Sequence, residues 1–361
     1  MLSAEDIAHI EDMVVVAGLC IGLTLGVVAR LTGFCTLGAI ADWYSTGDTS
    51  RLRMWLLAIA TAIVGTQLLA GHDAIQIQGS FYTEPRVFWL SNILGGVMFG
   101  LGMALASGCG SRTLIRIGGG SLKAVVVFVV MALFAYMTMR GIFGVLRVET
   151  VEKISLTLSS KQDLPSILGQ PRLWVTAVVV ALLSVVVFSS AEFRARPRLI
   201  LGGLVIGLLV VAGWFTTGHL GFIEEDPNSL EPRFVATNTR GVESLTFVAP
   251  LAYFLDLFMF WSDTSRTATF SIATVTGVIL GALAHSVGTK SFRWEGFVDK
   301  ADLGRHLVGA ALMGVGGVIA FGCTIGQGIS GLSLLAVGSL LATVSIVAGA
   351  WLGLRWLERA A

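Results

Sequence analysis

Apolar runs of about 18–20 residues recur along this chain, and each is long enough to cross a bilayer as a helix. They fall near residues 13–31, 54–71, 88–107, 122–139, 172–190, 198–216, 268–288, 305–322 and 334–353. Hydrocarbon offers no water to a backbone N–H or C=O, so each crossing must satisfy its own hydrogen bonds. The expectation is an all-α integral membrane protein of about nine transmembrane helices. Composition agrees: 361 residues, 55% hydrophobic and 13% charged, with a mean hydropathy of +0.82. A tenth apolar stretch, 245–261, contains Pro250 and Asp256 and reads as short or re-entrant.

Several function classes drop out early. Residues 1–12 carry Glu5, Asp6, Glu11 and Asp12 and no Lys or Arg, unlike the basic start of a secretory signal. The first helix is therefore expected to stay. Four cysteines in 361 residues do not make a disulfide framework. There is no CxxC pair and no Cys/His metal spacing, so neither metal nor cofactor is expected. A net charge of +1 argues against a nucleic-acid partner. The lipid bilayer is the expected surround.

Lys and Arg divide unevenly between alternate loops. The set 30–53, 112–123, 194–198, 290–305 and the C-terminal tail holds 15, and the other set holds 9. The positive-inside rule then places the N-terminus outside and the C-terminus in the cytoplasm, as an odd number of crossings requires.

The chain also resembles itself. Gly95, Gly102, Gly108 and Cys109 match Gly309, Gly316, Gly322 and Cys323 at a constant offset of 214, and Gly18, Gly22 and Gly33 match Gly203, Gly207 and Gly218 at 185. Four crossings plus one connector turn the second copy upside down, which is the inverted-repeat plan of transporters. The expected divisions are 1–140 for the first repeat, 141–197 for a connector with the fifth crossing, and 198–361 for the second repeat. The glycines also have a plainer use, since small residues let membrane helices approach closely.

Three of the four thiols stand where apolar runs break. Residues 26–40 read GVVARLTGFCTLGAI, 102–116 read GMALASGCGSRTLIR, and 316–331 read GGVIAFGCTIGQGISG. Apolar sequence resumes almost at once, so these connections are expected to dip back into the bundle. Irregular backbone survives at that depth only when buried in protein or lining a cavity. A short helix after each break would aim its free N–H groups at the centre, where they attract anions. Cys20 lies mid-helix without polar neighbours and reads as a small hydrophobe.

A thiol is a soft, polarisable partner that suits sulfur, selenium or a soft metal. One Cys per loop is sparse for Cu(I). Arg112, Thr324 and Gln327 nearby suit oxygens, and Gln327, four residues past Cys323, would share its helix face. Arg112 reads either as an anion attractor or as a positive-inside charge. Together these residues fit a small anion with one soft sulfur and several hard oxygens. Transport of a selenium species or sulfite is an alternative, as is a membrane sulfur-transfer or redox protein. Persulfide chemistry would want a base beside the thiol, and no His or Lys lies within a few residues of these three.

Gly33-Phe34-Cys35, Ser107-Gly108-Cys109-Gly110-Ser111-Arg112 and Phe321-Gly322-Cys323-Thr324-Ile325-Gly326-Gln327-Gly328 resemble the YeeE/YedE family of bacterial membrane proteins over most of the chain. The resemblance implies an hourglass-like, pseudo-symmetric bundle in the inner membrane that takes up thiosulfate. It implies that Cys35, Cys109 and Cys323 relay the substrate's sulfur through S–H···S hydrogen bonds, with Gly108, Gly110, Arg112, Gly322, Thr324 and Gln327 along the pathway. It implies a transporter, not an enzyme. Some members carry a fused sulfur-carrier domain; here such a cytoplasmic partner would be a separate protein. His219, just past the fourth half-site, is a further cavity candidate, while His72, His285 and His306 read as polar caps. Trp89, Trp174, Trp261, Trp351 and Trp356 read as interface anchors. Loops 140–171 and 217–267 have no role in this reading.

Overall fold

The computed structural model describes residues 3–77, 80–226, 230–263 and 266–360. Its helices are α1 (Ala4–Thr32), α2 (Thr36–Thr46), α3 (Ser50–Gly71), α4 (Trp89–Leu105), α5 (Gly110–Gly118), α6 (Leu122–Arg140) and α7 (Ile142–Glu149). They continue with α8 (Leu164–Leu168), α9 (Arg172–Phe188), α10 (Ala191–Arg194), α11 (Pro197–Phe215) and α12 (Ala249–Met259). The last three are α13 (Phe270–Gly288), α14 (Lys300–Ile319) and α15 (Val337–Ala360). Two short antiparallel pairs sit in loops: β1 (Arg86–Val87) on β2 (Leu156–Thr157), and β3 (Phe222–Ile223) on β4 (Arg233–Phe234).

Each of the nine expected crossings falls on a helix. Among the described residues, seven helical segments are long and apolar enough to cross a membrane. The other two expected crossings are α9, 17 residues long, and α14, whose 20 residues include Lys300, Asp302 and Arg305 near the start. The 245–261 stretch becomes α12, whose 11 residues span roughly 16 Å and cannot bridge about 30 Å of hydrocarbon. Trp89, Trp174, Trp261 and Trp356 are exposed near helix ends, and Arg355 lies 4.5 Å over the Trp351 ring.

Loop contacts sort into two groups. Segments 72–88, 141–171, 221–248 and 332–336 bond to one another: Gln76 to Gly218, Leu158 to Pro85, Leu164 to Leu335 and Val337 to Gln162. Ser3 heads α1 at this same face, where Arg233 approaches Glu11. Segments 33–49, 119–121, 189–196 and 289–295 meet at the opposite face, through Arg196 with Asp48, Leu122 with Glu295 and Tyr44 with Glu358. This sorting is what nine alternating crossings produce.

The helices interlock through glycine. In α1, Gly18 abuts the Phe270 carbonyl of α13; in α11, Gly203 abuts the Met54 carbonyl of α3. Gly22 against Thr274 and Gly207 against Ala58 repeat the pattern one turn on. Likewise α4 packs on α14 and α15, and α14 on α6. A buried ion pair joins α6 to α14 near the second face: Lys123 Nζ lies 2.7 Å from Asp302 Oδ2, and each side chain is 10% exposed.

Candidate functional site: three buried thiols at helix breaks

Cys35, Cys109 and Cys323 each end an irregular turn and each precede a short helix. The α1 helix ends at Gly33 with φ +67°, a left-handed value that costs glycine little. Cys35 then caps α2, its Sγ accepting from the Gly38 amide at 3.4 Å. Ser107 (φ +58°) and Phe321 (φ +55°) take the same left-handed turn although neither is glycine. Such strain is held only where surrounding structure over-determines it, and it concentrates at working sites. Cys109 caps α5 and lies 3.3 Å from Ser111 Oγ. Cys323 precedes the stretch that begins at Thr324, and its Sγ accepts from the Gly326 amide at 3.4 Å.

The glycines of these motifs make room. A Cβ on Gly108 would strike Arg112 Cγ at 2.9 Å, one on Gly110 the Phe247 carbonyl at 3.0 Å, and one on Gly322 Gln327 Cγ at 3.1 Å. Each therefore lets a functional side chain or a crossing backbone lie against the thiol turn.

All three thiols are buried, at 9%, 1% and 1% exposure for Cys35, Cys109 and Cys323. Cys109 lies within electrostatic reach of both others. Arg112 is half-buried and reaches toward Cys35 and Arg30. Among the described residues it has no ion-pair partner. Arg51 leans over Gly33 and Gly38 while pairing with Asp42 at 3.2 Å. Cations thus gather around the Cys35 end. Cys20 is exposed on α1, far from this arrangement in character.

At the Cys323 end the surroundings are different. A chamber of about 290 Å³ is bounded by Tyr82, Arg147, Glu243, Thr246 and Tyr253 and reaches Gly322. Thr246 Oγ1 stands 3.9 Å from Cys323 Sγ, and Tyr82 donates to the Gly326 carbonyl at 3.0 Å. Residues Gly326–Gly331 form a π-helical turn, a form that occurs often at functional sites. Buried bonds hold it: Ser330 Oγ to Leu245, and Gln67 and Trp214 to Ser333. Thr324 Oγ1 is buried without a partner, and Gln327 donates to Ala320 at 2.7 Å while its Oε1 has none.

Sequence reasoning missed Tyr82 and Thr246, which come from loops, and Trp55, in the second turn of α3, which stacks on Phe34 beside Cys35 with ring centroids 5.0 Å apart. It left one residue open between a polar cap and a cavity position. His219 is exposed and stacks on Phe215 with ring centroids 4.8 Å apart, in the π turn Thr216–Leu220. Its exposure is what a polar cap shows, unlike the three buried thiols. Asp256, buried on α12, pairs with Arg266 at 2.6 Å.

Fold and site together define a multi-pass, all-α membrane protein with three buried thiols at helix breaks. The chain belongs to the sulphur-transport family, the YeeE/YedE proteins, whose sequence model matches residues 31–352. It is similar to a thiosulfate transporter, TsuA, of Escherichia coli strain K12, at 26% identity over 348 residues, covering 93% of each chain. It is equally similar, 26% over 346 residues, to the thiosulfate transporter TsuA of Spirochaeta thermophila, covering 92% of this chain and 96% of that one.

Proposed function

We propose that this protein carries thiosulfate, or a closely related sulfur anion, across the inner membrane into the cytoplasm. The anion collects in the chamber beside Gly322, and its terminal sulfur passes from Cys323 to Cys109 to Cys35. The observation that carries this reading is the arrangement of three buried thiols, each at the head of a short helix, with Cys109 within electrostatic reach of the other two. A soft thiol recognises the soft sulfur. The helix N-termini and Arg112 offset the charge on the oxygens.

The reciprocal glycine contacts support two inverted repeats, 1–140 and 198–361, joined by the connector 141–197. The charge asymmetry of the loops supports a periplasmic N-terminus and a cytoplasmic C-terminus. Arg30, Arg51 and Arg112 would then ring the cytoplasmic mouth, where a separate sulfur-carrier protein takes the anion. The names of the relatives support thiosulfate as the cargo.

The test is uptake of sulfur-labelled thiosulfate by cells lacking other sulfur importers. Cells with this protein should accumulate label and cells with Cys109→Ala should not. Equal accumulation of labelled sulfate would remove the purpose of the thiols and overturn the reading.

A further inference from the structure

Among the described residues, a single acid lines the chamber beside Gly322: Glu243, which is 7% exposed. Its backbone is pinned, since its amide donates to Thr217 Oγ1 at 3.1 Å and the Thr217 hydroxyl donates back to its carbonyl. One carboxyl oxygen, Oε1, accepts from the Asn238 amide at 2.7 Å, the Thr239 amide at 2.8 Å and the Thr239 hydroxyl at 2.9 Å. All of these donors are neutral. Among the described residues no Lys, Arg or His pairs with Glu243. The cation on the same wall, Arg147, already faces the carboxylate of Glu152 at 3.3 Å. The phenols of Tyr82 and Tyr253 complete the titratable groups of the wall, and with an ordinary value of about 10 they are neutral near pH 7. Behind the wall, Cys323 lies 3.9 Å from the Thr246 hydroxyl, and Arg140 and Asp256 act on Tyr253.

A carboxylate buried without a cation is costly, and such a group answers by keeping its proton. Burial raises the Glu243 value against the pull of its three donors. The charge of the chamber turns on that proton. With Glu243 ionised, Arg147, Glu152 and Glu243 leave one uncompensated negative charge; with Glu243 protonated they leave none. A sulfur anion entering a space of about 290 Å³ meets a like charge in the first case and not in the second. Like charges repel strongly where water is scarce. Shaping the turn from Asn238 to Glu243 asks only for an acceptor oxygen, which an amide side chain also has.

We propose that the chamber takes its sulfur anion together with one proton, held on Glu243. The inference rests on the transport reading above and adds a second ligand to the same chamber. Each ligand favours the other. The proton removes the repelling charge, and the anion makes the carboxyl harder to ionise by the same factor. Glu243 belongs to segment 221–248, on the face argued to be periplasmic, so the proton comes from the water that delivers the anion. In the loaded chamber it cancels one of the anion's charges.

The test is calorimetric titration of the full chain in detergent with thiosulfate, from pH 5 to 9, in buffers that differ in their heat of protonation. Wild type should take up close to one proton per anion at the alkaline end, where its Kd should weaken by up to about tenfold per pH unit. Glu243→Gln keeps the acceptor oxygen and cannot ionise. It should take up no proton and keep at pH 9 the Kd that wild type has at pH 5. A wild-type Kd that is flat with pH, or a proton uptake that Glu243→Gln retains, overturns the proposal. If the variant does not fold, infrared difference spectra of wild type at pH 9 decide instead. Thiosulfate should add the band of a protonated carboxyl, and no added band overturns the proposal equally. If wild type binds no thiosulfate at any pH, the transport reading itself falls and takes this inference with it.

Discussion

Gly95 and Gly316 lie face to face: a methyl group on either would come within 2.7 Å of the other's carbonyl oxygen. Gly102 and Gly309 meet in the same way, at 2.5 Å and 2.7 Å. An offset of 214 turns Gly95 into Gly309 and Gly102 into Gly316, so each glycine of α4 meets the counterpart of the other on α14. A seam of this kind tolerates no added atom.

Gly316→Ala should therefore destabilise the protein by about 1–3 kcal/mol, the usual cost of overpacking. Gly288→Ala is the control, since nothing lies within 4 Å of a Cβ there. Thermal unfolding in detergent compares them. Equal midpoints would mean that the seam yields easily.

The thiol variants separate chemistry from packing. Cys109→Ala and Cys323→Ala should each nearly abolish thiosulfate uptake, and Cys35→Ala should be similar or somewhat milder. The loss of packing, on the order of 1 kcal/mol, leaves a bundle of this size folded. Cys20→Ala, on the exposed side of α1, should transport normally. Four variants behaving alike, by uptake and by size-exclusion profile, would remove the relay.

Breaking the Lys123–Asp302 pair should be costly. Removing one partner of a buried ion pair leaves an uncompensated charge, worth about 3–5 kcal/mol. Lys123→Met alone should lower the unfolding temperature sharply, and Lys123→Met with Asp302→Asn should recover much of it. A double variant no better than the single would show the pair to be already solvated.

Glu243 gives a pH dependence with a definite sign. Burial pushes its carboxyl above the ordinary 4.5, against the opposing pull of donors from Thr239 and Asn238 on its Oε1. Tyr82, Tyr253 and Arg147 share its chamber. A raised folded-state value means that its contribution is fully present below about 4.5 and is lost as pH rises through the higher value. Glu243→Gln mimics the protonated form, so unfolding midpoints measured from pH 5 to 8 should fall less steeply than in wild type. Parallel slopes would assign the dependence elsewhere.

Orientation is read by labelling. Lys153→Cys and Gly296→Cys lie on loops of opposite faces, and both positions are exposed. A membrane-impermeant thiol reagent added to intact spheroplasts should mark the first and spare the second. The reverse pattern would invert the direction argued from the loop charges.

Much of this architecture was legible because hydrocarbon is a strict solvent. Apolar length marks a crossing, and a Gly-Cys break within it stands out against helical background. Cys35, Cys109 and Cys323 were visible on that ground. The stacking of Trp55 on Phe34 was not, because Trp55 lies in the second turn of α3, 20 residues beyond Cys35, with nothing local to tie it to the thiol turn. Thr246 and Tyr82 were hidden for another reason. They come from segments outside the crossings whose sequence has neither period nor motif, and only the fold lays them on the Cys323 turn. The offset that pointed to His219 as a cavity alternative does not fix a side chain's direction, and the residue is exposed in the π turn Thr216–Leu220.

The burial of all three thiols has an electrical consequence. With Cys35, Cys109 and Cys323 at 9% exposure or less, the described residues wrap each thiol almost completely in protein. Protons and small cations should then find no conductance through the resting chain, which current recorded across a planar bilayer would check. A cell can hold many copies in its membrane without draining the voltage on which its other machinery runs.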